Sequence, residues 1–251
     1  MPKKHRTNSV NFPPPQVPSQ NPTPPPPPPP PRAITRKPLQ RNSYKPNNNP
    51  FVFSNAIIAI NLGLFVWSQI SGVNRFQYNM FLSRVFLDNG EWYRLVSAGF
   101  VHFGLFHVAM NMFLLFQLGR MLEPAIGSTK FALIYFASLL GGSAGALLLS
   151  PTAFTGGASG AVFGVMAAGV VGMRQQGANP FKSGLGMTFA INIVLTLAIP
   201  GISIGGHFGG ALAGALCGFV ILAPSRIKIP EFVQYATPIL VGAAAIYISL
   251  A

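Results

Sequence analysis

Charge is scarce in this chain. Only 8% of its 251 residues are charged, against about a quarter in an ordinary soluble domain. Acidic residues number four: Asp88, Glu91, Glu123 and Glu231. None falls in the middle of a long apolar run, so a buried aspartate pair is excluded as a catalytic device. There is one cysteine, Cys217, which rules out an intramolecular disulfide, a CxxC redox pair and a cysteine-rich zinc site. No HExxH is present for zinc, and no metal or cofactor is expected. The GxSxG elbow of soluble hydrolases is missing as well, because Ala161 takes the last glycine of GASGA.

Apolar residues make up 50% of the chain, and several runs approach or exceed the roughly 18 residues that mark a membrane span. These runs do not alternate apolar with polar, so spanning β-strands are excluded. The expected class is an all-α polytopic membrane protein. Seven apolar segments are read, at 51–70, 103–122, 129–149, 157–173, 184–200, 205–223 and 235–251. The loop at 71–102 has aromatic and amphipathic character, and its Trp92 and Tyr93 suit a membrane interface. Residues 1–50 hold most of the proline, including the run from Pro24 to Pro31. They read as a disordered, basic tail with a stiff polyproline rod. The rod serves as a spacer or docks an SH3- or WW-type groove. No cleavable signal peptide is read there, and the prolines oppose the amphipathic helix of a mitochondrial presequence.

The net charge of +13 raises nucleic acid as a partner, yet its distribution points to topology instead. The tail carries Lys3, Lys4, Arg6, Arg32, Arg36, Lys37, Arg41 and Lys45. Arg120, Lys130, Arg174, Lys182, Arg226 and Lys228 sit between segments on one side of the expected bundle, and only Arg75, Arg84 and Arg94 sit on the other. Such asymmetry sets the basic side, tail included, in the cytoplasm and adds attraction to anionic lipid. The expectation is a multi-pass protein of a bacterial cytoplasmic membrane.

Polar residues inside such segments are costly and mark function. Ser159 in GGASGAVFG and His207 in GGHFGGALAG lie near the starts of segments four and six. Taken singly, a serine there is commonly a packing residue and a histidine a satisfied structural group. Together they lie about 21–24 Å above the far ends of their helices, at a matching level. Small residues recur on segment four as Gly156, Gly160, Gly164, Ala168 and Gly172, and on segment six as Gly206, Gly210, Gly214 and Gly218. Ser159 and His207 flank these stripes, where close helix packing would let hydroxyl and imidazole meet. His107 and Asn111 share one face of segment two and can donate to an oxyanion, as can the Ser159 amide near a helix start. His102 is a further polar group at the rim. No carboxylate is placed to orient His207, so a dyad is expected.

From about Glu91 to Leu222 the chain resembles the rhomboid intramembrane serine proteases. The resemblance rests on Tyr93-Arg94 in the loop, HFGLFHVAMN, LGRMLEPAIG, GGASGAVFG and HFGGALAG. It implies a six-helix bundle with a seventh C-terminal helix, short at about 25 Å and able to span or to lie on the surface. It implies Ser159 as nucleophile and His207 as general base and then acid. His107, Asn111 and the Ser159 amide would stabilise the oxyanion. Gly157 would let the substrate backbone approach, Phe163 would stack on His207, and Glu123 would tie the cytoplasmic end of segment two. Single-span membrane proteins would be the substrates, reaching an extracytoplasmic site laterally past segment five. An inactive relative that binds or escorts membrane clients is the alternative, and a small-solute channel a third.

Overall fold

The computed structural model describes residues 51–251, which are helical apart from loops and one isolated bridge between Leu82 and Thr155. The basic proline-rich segment, with its spacer and SH3/WW readings, lies outside the described residues. Helix α1 (Val52–Ser71) leads into a loop carrying α2 (Val73–Tyr78), α3 (Arg84–Asp88), α4 (Arg94–Ser97) and a 3-10 turn, Ala98–Phe100. The bundle continues with α5 (Leu105–Ile126), α6 (Ser128–Leu149), α7 (Ser159–Gln175), α8 (Leu185–Ala198), α9 (Ile204–Ile221) and α10 (Glu231–Leu250). Helices α1, α5, α6, α9 and α10 are long and apolar enough to cross a membrane.

Segments four and five, read as ordinary spans, form the shorter helices α7 and α8, of 17 and 14 residues. The reason differs for each. Helix α7 is the central element. Every residue from Ala161 to Gly169 is buried, as expected of a helix enclosed on all sides by protein rather than lipid. It starts at Ser159, and residues 150–158 before it are non-helical, so Gly156 belongs to that run and not to the helical stripe. There Gly156 lies against Phe81 and Phe103. Helix α8 stands at the edge, with Met187, Ile191, Val194 and Leu197 exposed.

Helix α9 is held between α6 and α7 by two glycine seams. A Cβ on Gly210 or Gly214 would collide with the backbone of Gly160 or Gly164 on α7, and one on Gly218 with Ala168. This seam follows the stripes read in the sequence. The second was not read: Gly141, Gly142 and Gly145 of α6 face Gly205, Gly206 and Gly209 of α9. The two seams meet at Gly142, where an added Cβ would lie 2.9 Å from the Gly206 oxygen and 3.2 Å from Gly160 Cα. Small residues bring membrane helices into backbone contact, where dispersion and weak hydrogen bonds act without a hydrophobic driving force.

Two polar fastenings hold the periphery. The Glu123 carboxylate on α5 accepts from Phe53 N–H (2.8 Å), Ser54 N–H (3.0 Å), the Ser54 hydroxyl (2.6 Å) and the Ser128 hydroxyl (2.6 Å). Helix α1 has no side-chain cap of its own, so this carboxylate satisfies its first turn from another helix. In the loop, Arg94 is buried. It donates to the carbonyls of Tyr78 and Phe81 and to Glu91, and lies 3.8 Å over the Phe86 ring. Trp92 and Tyr93 beside it are exposed. The last helix corrects an expectation. It begins at Glu231, four residues before the apolar run, and its 20 residues reach about 30 Å. That is long enough to span, and it packs along α6, with Gly242 against Leu140.

Candidate active site

Ser159 and His207 are brought together by how their helices begin. Ser203 caps α9, its hydroxyl accepting from Gly206 N–H at 3.1 Å, which sets His207 in the first turn. Helix α7 begins without such a cap, because the residue before it is Ala158. The N–H groups of Ser159, Gly160 and Ala161 therefore lack intrahelical acceptors and lend partial positive charge to the helix start. Across the seam, Ser159 Oγ lies 2.7 Å from His207 Nε2. Phe163, one turn below the serine, stacks on the imidazole with centroids 4.0 Å apart and planes 22° apart.

These groups face a cavity of about 740 Å³ that His107 and Asn111 also line. Its walls include Phe106 and Met110 of α5, Leu195 of α8 and Ile199 just past the end of α8. Asn111 donates one amide proton to the His107 carbonyl at 2.9 Å, and its second proton is not used by that bond. The His107 ring lies parallel to Phe103, 6.0 Å away, and edge-on to His102 at 5.0 Å. Gly157 has φ +126°, a conformation that L side chains rarely adopt, and a Cβ there would sit 2.8 Å from the His107 ring. Glycine is required by both the backbone and its neighbour.

His102 stands outside the cavity lining, 2% exposed. Its Nε2 accepts from Ala158 N–H at 3.4 Å, and its carbonyl accepts from the Gln77 amide at 3.1 Å. Burial, with a smaller contribution from His107, pushes its pKa from the ordinary 6.5 down to about 3. The ring is thus a neutral acceptor that steadies the residue preceding Ser159.

One polar partner escaped the sequence reading. Thr196, near the end of α8 and 2% exposed, places its hydroxyl oxygen 2.7 Å from His207 Nδ1. A signal was available: Thr196 is two residues from the end of one helix and His207 four into the next, joined by a short loop, so both share a level. Among the described residues no cluster of His, Cys, Asp or Glu could hold a metal ion.

The rhomboid domain model matches residues 89–224, more than half of the chain and the whole of this constellation. The chain belongs to the rhomboid family. It is 30% identical over 202 residues to RHOMBOID-like protein 6, mitochondrial, of Arabidopsis thaliana, covering 78% of this chain and 60% of that protein. It is 33% identical over 132 residues to Rhomboid protease GluP of Bacillus subtilis, covering 51% of this chain and 26% of that one. With RHOMBOID-like protein 1 of Arabidopsis thaliana it shares 36% over 136 residues, 53% of this chain and 35% of that one. The chain thus spans between about a quarter and three fifths of the length of these relatives. Rhomboid membership and the five long apolar helices make it an integral membrane protein. The relatives include a plant protein named as mitochondrial and a bacterial one, so they do not select the bacterial membrane expected from sequence.

Proposed function

We propose that this rhomboid protein is an intramembrane serine endopeptidase that cleaves single-span membrane proteins in or near their transmembrane helices. The observation that carries the reading is the 2.7 Å contact of Ser159 Oγ with His207 Nε2 inside a cavity between helices. In this reading His207 takes the hydroxyl proton as Ser159 attacks a peptide carbonyl, then returns it to the leaving amine. The acyl-enzyme is hydrolysed by the reverse sequence. The uncapped start of α7 offers the Ser159 amide to the oxyanion. The free amide proton of Asn111 and the imidazole of His107 add donors, a term that is usually the largest in acyl transfer. Substrate arrives laterally, between Phe106 and Met110 of α5 and Leu195 and Ile199 at the end of α8. Segments that unwind easily are favoured, because a helical amide is shielded until its hydrogen bonds open. The basic face lies in the cytoplasm and the cavity opens on the opposite side. The membrane domain is taken as 51–251, with 1–50 as a cytoplasmic tail.

The test is co-expression of wild type, Ser159→Ala and His207→Ala with tagged single-span proteins, alongside labelling by a fluorophosphonate probe. Wild type cleaves and is labelled at Ser159, and each substitution lowers cleavage by orders of magnitude. Cleavage that persists in both variants refutes the assignment. A wild type that neither cleaves nor labels favours an inactive member that binds or escorts membrane clients.

A further inference from the structure

We propose that Thr196 is a positioning residue for His207, holding its imidazole in the tautomer that leaves Nε2 free to accept the Ser159 proton. This rests on reading Ser159 and His207 as nucleophile and base. The argument is a count of protons. The Thr196 hydroxyl donates to the Asn192 carbonyl one turn earlier, at 2.7 Å, and a carbonyl can only accept. Its single proton is thereby committed. The 2.7 Å contact with His207 Nδ1 is then a hydrogen bond only if Nδ1 carries the proton and the threonine oxygen accepts. A neutral imidazole protonated at Nδ1 is bare at Nε2, so the contact with Ser159 takes its proton from the serine. Every bond in the chain from Ser159 through His207 and Thr196 to Asn192 points the same way, and a backbone carbonyl sets the direction.

Burial strengthens the constraint. Thr196 is 2% exposed and His207 8%, so water does not compete freely for Nδ1. When the serine proton arrives on Nε2, the charged ring still donates from Nδ1 to the threonine oxygen, which is a stronger bond than its neutral counterpart. Threonine thus does, without a charge, part of what a carboxylate would do for such a histidine. The acceptor belongs to α8, at the edge of the bundle, so correct orientation of the base depends on α8 being docked against α9.

The experiment compares Thr196→Val, which keeps shape and removes the hydroxyl, with Thr196→Ser, which keeps the hydroxyl. Full-length protein in liposomes is given a single-span reporter substrate, kcat and KM are measured separately, and Ser159 labelling by a fluorophosphonate is followed in parallel. Thr196→Val lowers kcat and the labelling rate about ten- to a hundred-fold, the worth of one hydrogen bond to a charged group. KM and the thermal midpoint are unchanged, and Thr196→Ser restores kcat to within a few-fold of wild type. A folded valine variant with wild-type kcat overturns the assignment. So does a serine variant as slow as the valine one, since the loss would then come from packing. Should the valine protein fail to fold, Thr196→Ala removes the same hydroxyl and is judged by the same outcomes. A wild type inert to both substrate and probe overturns the protease reading and this assignment with it. Active wild type beside an unaffected valine variant overturns only the threonine.

Discussion

Gly142 of α6 lines the same cavity as Ser159 and His207 without bringing a functional group to it, yet Gly142→Ala is expected to damage the site more than the fold. Its new Cβ would lie 2.9 Å from the Gly206 oxygen and 3.2 Å from Gly160 Cα, where ordinary contact needs about 3.4–4 Å. Both obstacles are backbone, so no rotamer change relieves them, and the helices must part by about 0.5–1 Å. Gly160 follows Ser159 directly and Gly206 precedes His207, so that separation passes into the 2.7 Å contact between the two side chains. Overpacking of this kind costs about 1–3 kcal/mol, while a displacement of about 1 Å among reacting groups can cost a hundred-fold in rate. Helix propensity argues the opposite sign, favouring alanine by about 1 kcal/mol. Gly63→Ala on α1, where nothing lies within 4 Å of the added carbon, isolates that term. Cleavage of a single-span reporter, probe labelling and thermal unfolding are measured for both variants. Gly142→Ala falls ten- to a hundred-fold in both chemical readouts with a modest loss of stability, and Gly63→Ala matches wild type. Should Gly142→Ala cleave and label like Gly63→Ala, the three-helix junction does not govern the site.

Two further outcomes are expected. Arg94→Ala leaves the carbonyls of Tyr78 and Phe81 without this donor and Glu91 with only the Tyr93 hydroxyl. It lowers stability by about 2–3 kcal/mol, the cost of carbonyls left without a donor, and Arg94→Lys does not restore it, because a single ammonium cannot reproduce the fork. Thermal unfolding in detergent decides, and a lysine variant as stable as wild type contradicts the account. His102 titrates at about 3 in the fold against 6.5 when released, so between these values the unfolded chain binds the extra proton. Its contribution is complete above about pH 6.5 and drains as pH falls toward 3, by about 1.4 kcal/mol per pH unit. Unfolding midpoints of wild type and His102→Gln should converge over that window, and parallel curves refute the shift.

The membrane class and the helix content were legible because lipid imposes one-dimensional rules. Apolar runs must be long, polar residues within them need a reason, and small residues recur where backbones touch. Those rules mark Ser159, His207 and the α7–α9 seam from the chain alone. The second seam was equally legible and was not read, since Gly141 and Gly145, like Gly205 and Gly209, lie four residues apart, while the start of α10 is placed too late because its first turn is polar. Only the packed bundle decides that α7 is wrapped in protein and can be short, and that Glu123 caps a helix about seventy residues distant. It alone decides the partner of His207 Nδ1. A threonine bonded to its own helix looks complete in one dimension. Its oxygen acquires a second neighbour only when α8 and α9 lie side by side, and that pairing is a property of three-dimensional packing, which residue order along either helix does not carry.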